Sequence, residues 1–526
     1  MKSVKVLDVT LRDGGCVNNF NFGQDYMDKI LSSLEKSDVD IIELGYIDSI
    51  NGTEMGRTQY CNEKVITKHF LKSKKEGTSY VAMMDYGKFN VDNLEPRTEK
   101  SIDGIRLAFH KKDRMNMIDI GRKIIDKGYD FYIQPMLTMR YTDKEIIELI
   151  EVVNEKLFDA TAFYIVDSFG EMRSNDMTRV LNLIDNNLTA NMPIGFHSHN
   201  NLQLSYSNAM ALLQFQTKRD FILDVSIMGM GKGAGNLNTE LLLEHLNIYY
   251  QKDYKVAPLL KVIDEVINQI HKEYYWGYSV EYYLSSINRC TPSYAAHFYN
   301  KHMLSIEQVA ELLSMIDENK KVSFDKEYAE EIYRRYNMSK LYDDTEVIES
   351  LKTVFKDKKI LVIAPGKSII EYSKDIEDII QNEELITINL NNFSIDSDYI
   401  FTTRLDAYER AIKEGKNIIV PSNIYNKEAI NQNIIDYSKW IVVEDGTRDS
   451  SGVVVLKLLK SLEVKEILLA GFDGFSVDIN SNYYDKSLRH PVTEEEAISR
   501  NKFFKEYILE MKKELDIRFL TKSLYE

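Results

Sequence analysis

The chain has 526 residues, more than a single hydrophobic core usually supports, so two or three domains are expected. Its 82 acidic against 66 basic residues give a formal charge of −16, which repels nucleic-acid backbones and anionic membrane surfaces, and no basic run offsets it. Cys16, Cys61 and Cys290 are too few and too scattered for a disulfide framework or a cysteine zinc site; with no signal-peptide core and no membrane-length apolar run, a cytoplasmic protein that handles small molecules is expected.

Along the first 250 residues, short apolar runs alternate with amphipathic stretches, the pattern of repeated strand–helix units. The runs are VKVLDV (4–9), IIELGYI (41–47), YVAMMDY (80–86), GIRLAFH (104–110), FYIQPML (131–137), AFYIVDS (162–168), IGFHSH (194–199) and ILDVSIM (222–228). Eight strands with intervening helices predict a (β/α)8 TIM barrel over 1–255. Thr142 and Glu145 form a capping box that opens one of its helices.

Apolar spacing turns helical from about 255, with a second capping box at Ser305 and Gln308, which predicts a helical extension over 256–345. The runs ILVIA (360–364), LITINL (385–390), YIFTT (399–403), NIIVP (417–421), WIVVE (440–444) and EILLAGF (466–472) then predict a Rossmann-like, doubly wound α/β domain over 355–526.

In such a barrel the chemistry lies at the carboxyl ends of the strands. Asp13 is expected to end the first strand, His197 and His199 the seventh, and Asn236 follows the eighth in GMGKGAGN. The i, i+2 spacing aims both imidazoles at the axis, and closure brings strands one, seven and eight together. This nitrogen and oxygen donor set suits Mn2+ or Mg2+, with Zn2+ or Co2+ as alternatives, acting as a Lewis acid on a 2-oxo acid. Arg12, beside the metal carboxylate, is placed to donate to an enolate oxygen. Glu43, Arg106, Gln134 and Asp167 are expected to end strands two, four, five and six, as substrate-binding or supporting residues.

DVTLRDGG, GFHSHNN and GAGN, in that order and separation, resemble the motifs of the metal-dependent lyase and synthase superfamily that holds hydroxymethylglutaryl-CoA lyase, isopropylmalate synthase and 4-hydroxy-2-oxovalerate aldolase. The resemblance covers about residues 1–300 and implies a barrel with a pyruvate carboxyltransferase-like domain. It implies Asp13, His197 and His199 as metal ligands, Asn236 as a fourth, and Arg12 as the enolate-stabilising residue. The aldolase branch reads TLRDG-x-H, with the histidine as base for the substrate hydroxyl, and Cys16 stands in that place; synthases read TLRDGEQ. A tyrosine from the helical segment also reaches the aldolase site, and Tyr278 or Tyr283 would fill that role here. The implied activity joins or separates pyruvate enolate and an aldehyde, and the implied partners are a dehydrogenase or a second copy of the chain. Two alternatives are an acyl-CoA-dependent Claisen-type synthase and a degenerate barrel that serves as a scaffold for the C-terminal domain.

In that domain ILVIAPGKSI reads as strand, turn and helix, where amide groups meet a phosphate, although the first glycine of a P-loop is missing. Residues 446–475, with S-S-G and the G-F-D ending, are weakly similar to Rossmann-like glycosyltransferases of the bacterial sialyltransferase type. Gly366, Ser368 and Asp473 are the expected contacts to a nucleotide or nucleotide-sugar, and surface polysaccharide metabolism is the expected setting. His490 is a further candidate base.

Overall fold

A computed structural model describes residues 3–48, 55–69, 71, 74–189, 191–300, 304–425, 429–440, 450–488 and 492–526. The chain forms two compact units, Met1–Ala295 with Lys321–Ser323, and Ala296–Lys320 with Phe324–Glu526.

In the first unit β1 (Val4–Asp8), β2 (Ile41–Ile47), a two-residue β3 (Gln59–Tyr60), β4 (Ser79–Asp85), β5 (Gly104–Phe109), β6 (Asp130–Pro135), β7 (Ala162–Asp167), β8 (Ile194–Ser198) and β9 (Phe221–Val225) are all parallel. Pairing runs β1-β9-β8-β7-β6-β5-β4-β2 and returns from β2 to β1, so eight strands close a barrel while β3 lies outside it, on β2. All eight apolar runs of the first unit are strands.

Two-residue alternation divides the strand side chains between two cores. Leu7, Val9, Ile41, Val81, Tyr132, Tyr164 and Ile222 fill the lower barrel. Their neighbours Val6, Ile42, Ala82, Ile133, Phe163 and Leu223 face the helices. Those helices carry matching stripes, as in Gln24–Lys36, which buries Met27, Ile30, Leu31 and Leu34. Both expected capping boxes form, Thr142 with Glu145 and Ser305 with Gln308.

Helices dominate beyond the barrel, among them Ala257–Val262, Val280–Ile287, Ile306–Ser314 and Lys326–Ser339. The second unit then builds a seven-stranded parallel sheet from β10 (Lys359–Ile363), β11 (Ile386–Leu390), β12 (Tyr399–Phe401), β13 (Ile418–Pro421), β14 (Gln432–Ile435), β15 (Glu466–Ala470) and β16 (Asp516–Phe519). The order β14-β13-β12-β11-β10-β15-β16 reverses direction at β10. Ile360 and Val362 enter one core while Leu361 and Ile363 enter the other, as a sheet covered on both faces requires. Two strands, Gln432–Ile435 and Asp516–Phe519, lack an apolar run that announces them: each carries two polar residues and lies at a sheet edge. Of the expected strand 440–444, Trp440 instead ends the short helix Tyr437–Trp440, and the rest lies outside the described residues, as do 446–449 and His490. No described helix is long and apolar enough to cross a membrane.

Candidate metal centre

β1 ends at Asp8, not at Asp13. After Val9 the chain curls over itself: the Arg12 and Asp13 amides both donate to Val9 O, at 3.0 and 2.8 Å. That turn, rather than strand geometry, carries Asp13 into the barrel mouth. His197 lies within β8 and His199 one residue beyond it, so both imidazoles arrive from the same strand, their rings 5.2 Å apart and perpendicular. Ligand atoms of Asp13, His197 and His199 all lie within 4.8 Å of one another, and all three residues are buried.

The Gly229–Asn238 loop covers this cluster from the side. Asn236 Nδ2 donates to Asp13 Oδ2 at 2.8 Å, while its Oδ1 is buried without a hydrogen-bond partner. Gly231 permits the approach, because a Cβ there would stand 2.2 Å from Asn236 Nδ2 and 2.5 Å from Asp13 Oδ2.

Each imidazole is oriented through Nδ1. His197 Nδ1 lies 2.9 Å from Asp224 Oδ2, and His199 Nδ1 lies 3.0 Å from the Lys232 carbonyl. With a proton on each Nδ1, the Nε2 lone pair is the one free to coordinate. Burial lowers His199 to about 4 against the pull of Asp13, so the ring is neutral at pH 7. Burial alone would raise Asp13, but Arg12 and the two histidines hold it well below the usual carboxylate range. A clustered carboxylate and two imidazoles, next to an amide oxygen that has no protein partner, fit a divalent cation.

The charges continue inside the barrel. Arg12 Nη1 pairs with Asp13 Oδ1 and its Nε with Glu43 Oε2, both at 2.7 Å. Glu43 Oε2 also meets Arg106 Nη1 at 3.0 Å, and Arg106 Nη2 closes on the Asp224 carboxylate that holds His197. A continuous chain of ion pairs, closed by the Asp224–His197 hydrogen bond, therefore links one cluster member, Asp13, to another, His197. Arg106 is wholly buried, its guanidinium carbon 4.9 Å from the centre of the Tyr164 ring. With its amide oxygen turned inward, Gln134 accepts from Arg106 Nε at 3.3 Å and Nη2 at 3.1 Å. Arg12 Nη2 is buried with no partner.

The other expected site residues fall in different places. Glu43 and Arg106 do not end their strands: each is a third residue, pointing inward beneath the mouth because the alternation that buries Ile41 also turns Glu43 in. Asp167 does end β7, where its carboxylate accepts from the Glu171 amide at 2.9 Å and the Met172 amide at 3.1 Å and shapes the following loop. Cys16 ends a short 3-10 turn, Gly14–Cys16, and reaches solvent, with its amide donating to the Asp13 carbonyl at 3.0 Å. Tyr278 lines a cavity of about 190 Å³ with Trp276, His271, Gln203 and Asn236, the residue that bonds Asp13, and Tyr283 is 40% exposed. The contribution of Asp224 was not anticipated; a lone acid inside the apolar run FILDV was the available signal.

In the second unit Gly366, Ser368 and Asp473 do converge beside β10 and β15. Asp473 Oδ2 accepts from the Ser368 amide at 2.7 Å, so this amide already holds a carboxylate. A Cβ on Gly366 would stand 2.2 Å from Gly471 O and 2.6 Å from Asp473 Oδ1.

The HMGL-like family model matches residues 3–266, half of the chain. The 4-hydroxy-2-oxovalerate aldolase of Marinomonas sp. is 24% identical over 267 residues, spanning 49% of this chain and 76% of its own. That of Pseudoalteromonas translucida is 26% identical over 245 residues, 46% of this chain and 68% of its own. Among solved structures, the N-terminal domain of a candidate aldolase from Bacteroides vulgatus aligns with a TM-score of 0.49 and 25% identity, covering 58% of this chain and 99% of that domain.

Proposed function

The chain belongs to the HMGL-like family, and on that premise we propose that it is a divalent-metal aldolase, joining or separating the enolate carbon of pyruvate and an aldehyde. The observation that carries this reading is the buried Asp13–His197–His199 cluster with two unpartnered groups beside it, the donor Arg12 Nη2 and the acceptor Asn236 Oδ1.

Asp13, His197, His199 and Asn236 Oδ1 would hold the ion, and a donor set without thiolate favours Mn2+ or Mg2+. Bound there, the ion supplies Lewis acidity towards the carbonyl of a 2-oxo acid. The rest is the work of the protein's own side chains. Arg12 presents Nη2 to the oxygen on which enolate charge develops, and Glu43 fixes the guanidinium through Nε. Arg106 and Gln134 lie one layer deeper and keep Glu43 and Asp224 in place, so they support the site rather than touch substrate. Asp167 acts through the loop it ties. Gly15 and Cys16, where a synthase carries Glu-Gln, favour the aldolase reading over an acyl-CoA-dependent synthase.

Full-length protein with Mn2+ and a 4-hydroxy-2-oxo acid is expected to release pyruvate, read by coupling to lactate dehydrogenase. No release across several chain lengths, with metal bound, would remove the proposal; thiol release from acetyl-CoA with a 2-oxo acid would replace it with the synthase reading. For the second unit, Gly366, Ser368 and Asp473 stand where the strand order reverses, the usual ligand position in open α/β sheets. This supports a nucleotide or nucleotide-sugar there, with a raised unfolding temperature as the test.

A further inference from the structure

Position 16 leaves a gap in the aldolase reading. Cleavage of a 4-hydroxy-2-oxo acid requires an acceptor for the hydroxyl proton, and a thiol, which ordinarily loses its proton only near about pH 8.5, is a poorer one than the imidazole expected at this position. An alternative acceptor must stand at the carboxyl face of the barrel, point towards the axis and lie near Arg12.

β4 supplies such a group. Val81 belongs to the interior core and Met83 stands beside the inward-facing Arg106, so Asp85, two residues further, faces the axis at the mouth. Its carboxylate lies close enough to Arg12, Cys16 and the Tyr46 phenol for their charges and dipoles to act on one another.

Tyr46 turns to the same side as Asp85 through a defect in the sheet. The register between β2 and β4 passes from Glu43↔Val81 to Tyr46↔Met83, so three steps along β2 match two along β4. Strict alternation from Glu43 would turn Tyr46 outward; the extra residue turns it inward. Gly45 makes this possible, with φ 143° and a hypothetical Cβ only 2.2 Å from Thr58 O. The Tyr46 amide then donates to the same Thr58 O at 2.8 Å, and the Phe20 ring packs 6.3 Å from the Tyr46 ring. A bulge, a glycine and an aromatic contact together turn the phenol inward, to the side of the barrel where Asp85 ends β4.

We propose that Asp85, oriented by the Tyr46 hydroxyl, is the general base and acid of this site, in place of the histidine expected at position 16. The proposal rests on the aldolase reading above. In cleavage Asp85 takes the proton of the C4 hydroxyl. The C4 oxygen becomes the aldehyde carbonyl as the C3–C4 bond breaks, and that electron pair enters the C2–C3 enolate, whose oxygen accepts from Arg12. Asp85 then gives its proton to solvent and C3 takes one up, so aldehyde and pyruvate leave with all atoms accounted for. Burial lifts the Asp85 carboxyl above its ordinary range against the opposing pull of Tyr46, Arg12, His110 and Lys88, which brings it nearer to neutrality, where such a group works best.

The test uses the full chain with Mn2+ and two reactions: pyruvate release from a 4-hydroxy-2-oxo acid, and decarboxylation of oxaloacetate, which forms the same enolate with no hydroxyl proton to remove. Asp85→Asn should lower kcat of the first by about 100- to 1000-fold, and should leave decarboxylation and calorimetric oxalate affinity within about twofold. Tyr46→Phe removes a donor to the ionised carboxyl and should move the acid limb of the kcat profile to higher pH. Asp85→Glu should recover part of the lost rate. Retained aldol cleavage in Asp85→Asn, or parallel loss of both reactions and of oxalate binding, would overturn the assignment. An unmodified chain that binds oxalate and decarboxylates oxaloacetate but cleaves no hydroxy-oxo acid would instead overturn the aldolase reading, and this assignment with it.

Discussion

Asp224 Oδ2 stands 2.9 Å from His197 Nδ1 while Arg106 pairs with the same oxygen, so one buried carboxylate both orients an imidazole of the metal cluster and neutralises the barrel's central arginine. Burial would raise the Asp224 carboxyl, but Arg106 and His197 hold it below its ordinary value, and it stays ionised. Asp224→Asn should weaken Mn2+ binding by about 10- to 100-fold, because the imidazole loses the acceptor that sets its tautomer. Equilibrium dialysis with metal analysis checks this, and unchanged affinity would show that Asp224 does not orient the ligand.

Removal of the other partner acts on stability. Arg106→Ala leaves the Glu43 and Asp224 carboxylates facing each other in a water-poor interior, and should cost about 3–5 kcal/mol. The measurement is urea unfolding followed by fluorescence of Trp276, in a Trp440→Phe background that removes the other tryptophan. A loss below about 1 kcal/mol, the level of an exposed pair, would show that the interior network is hydrated.

Metal binding should be visible as stability. At a free Mn2+ concentration about 100 times Kd the folded state gains roughly 2.7 kcal/mol. His199→Ala should abolish that gain while leaving the unfolding midpoint in EDTA close to that of the unmodified chain. A variant still stabilised to the same extent would place the ion elsewhere.

Asp8 predicts a pH dependence of the barrel. Burial raises its carboxyl to about 6, against the hydrogen bonds from Thr239 Oγ1 at 2.6 Å and the Thr10 amide at 2.9 Å. The folded chain therefore holds a proton that the unfolded chain releases near pH 4, so this group's contribution to stability falls as pH rises from about 4 to about 6 and is level above. Thr239→Val removes the strongest opposing bond and should extend the fall to higher pH. Unfolding midpoints in EDTA between pH 4 and 8 test the sign: a contribution that rises over this interval would mean that Asp8 is ionised throughout.

Much of this was legible in the chain itself. The eight barrel strands were announced by apolar runs whose neighbours alternate between two cores, and the helix starts at Thr142 and Ser305 by local capping chemistry. HSH placed two imidazoles on one strand face. The interior pairing was not legible, since Arg106, Glu43 and Asp224 are far apart in sequence and each looked like the end of a strand or like nothing. The second unit shows the same limit. The glycine turn at 365–367 was visible as a turn, whereas only folding brings Asp473 to the Ser368 amide.

Sequence by itself determined which segments become strands and helices, and which residues could ligate a metal, because periodicity and motif are properties of neighbouring residues. Only the tertiary structure decided that Asp13 enters the mouth through a turn beyond β1, that Asp224 stands behind His197, and that a one-residue register shift at Gly45 turns Tyr46 to Asp85. Barrel closure and register depend on pairings between strands distant in sequence, and a slip of one residue sends a side chain to the opposite face while leaving the local sequence unchanged.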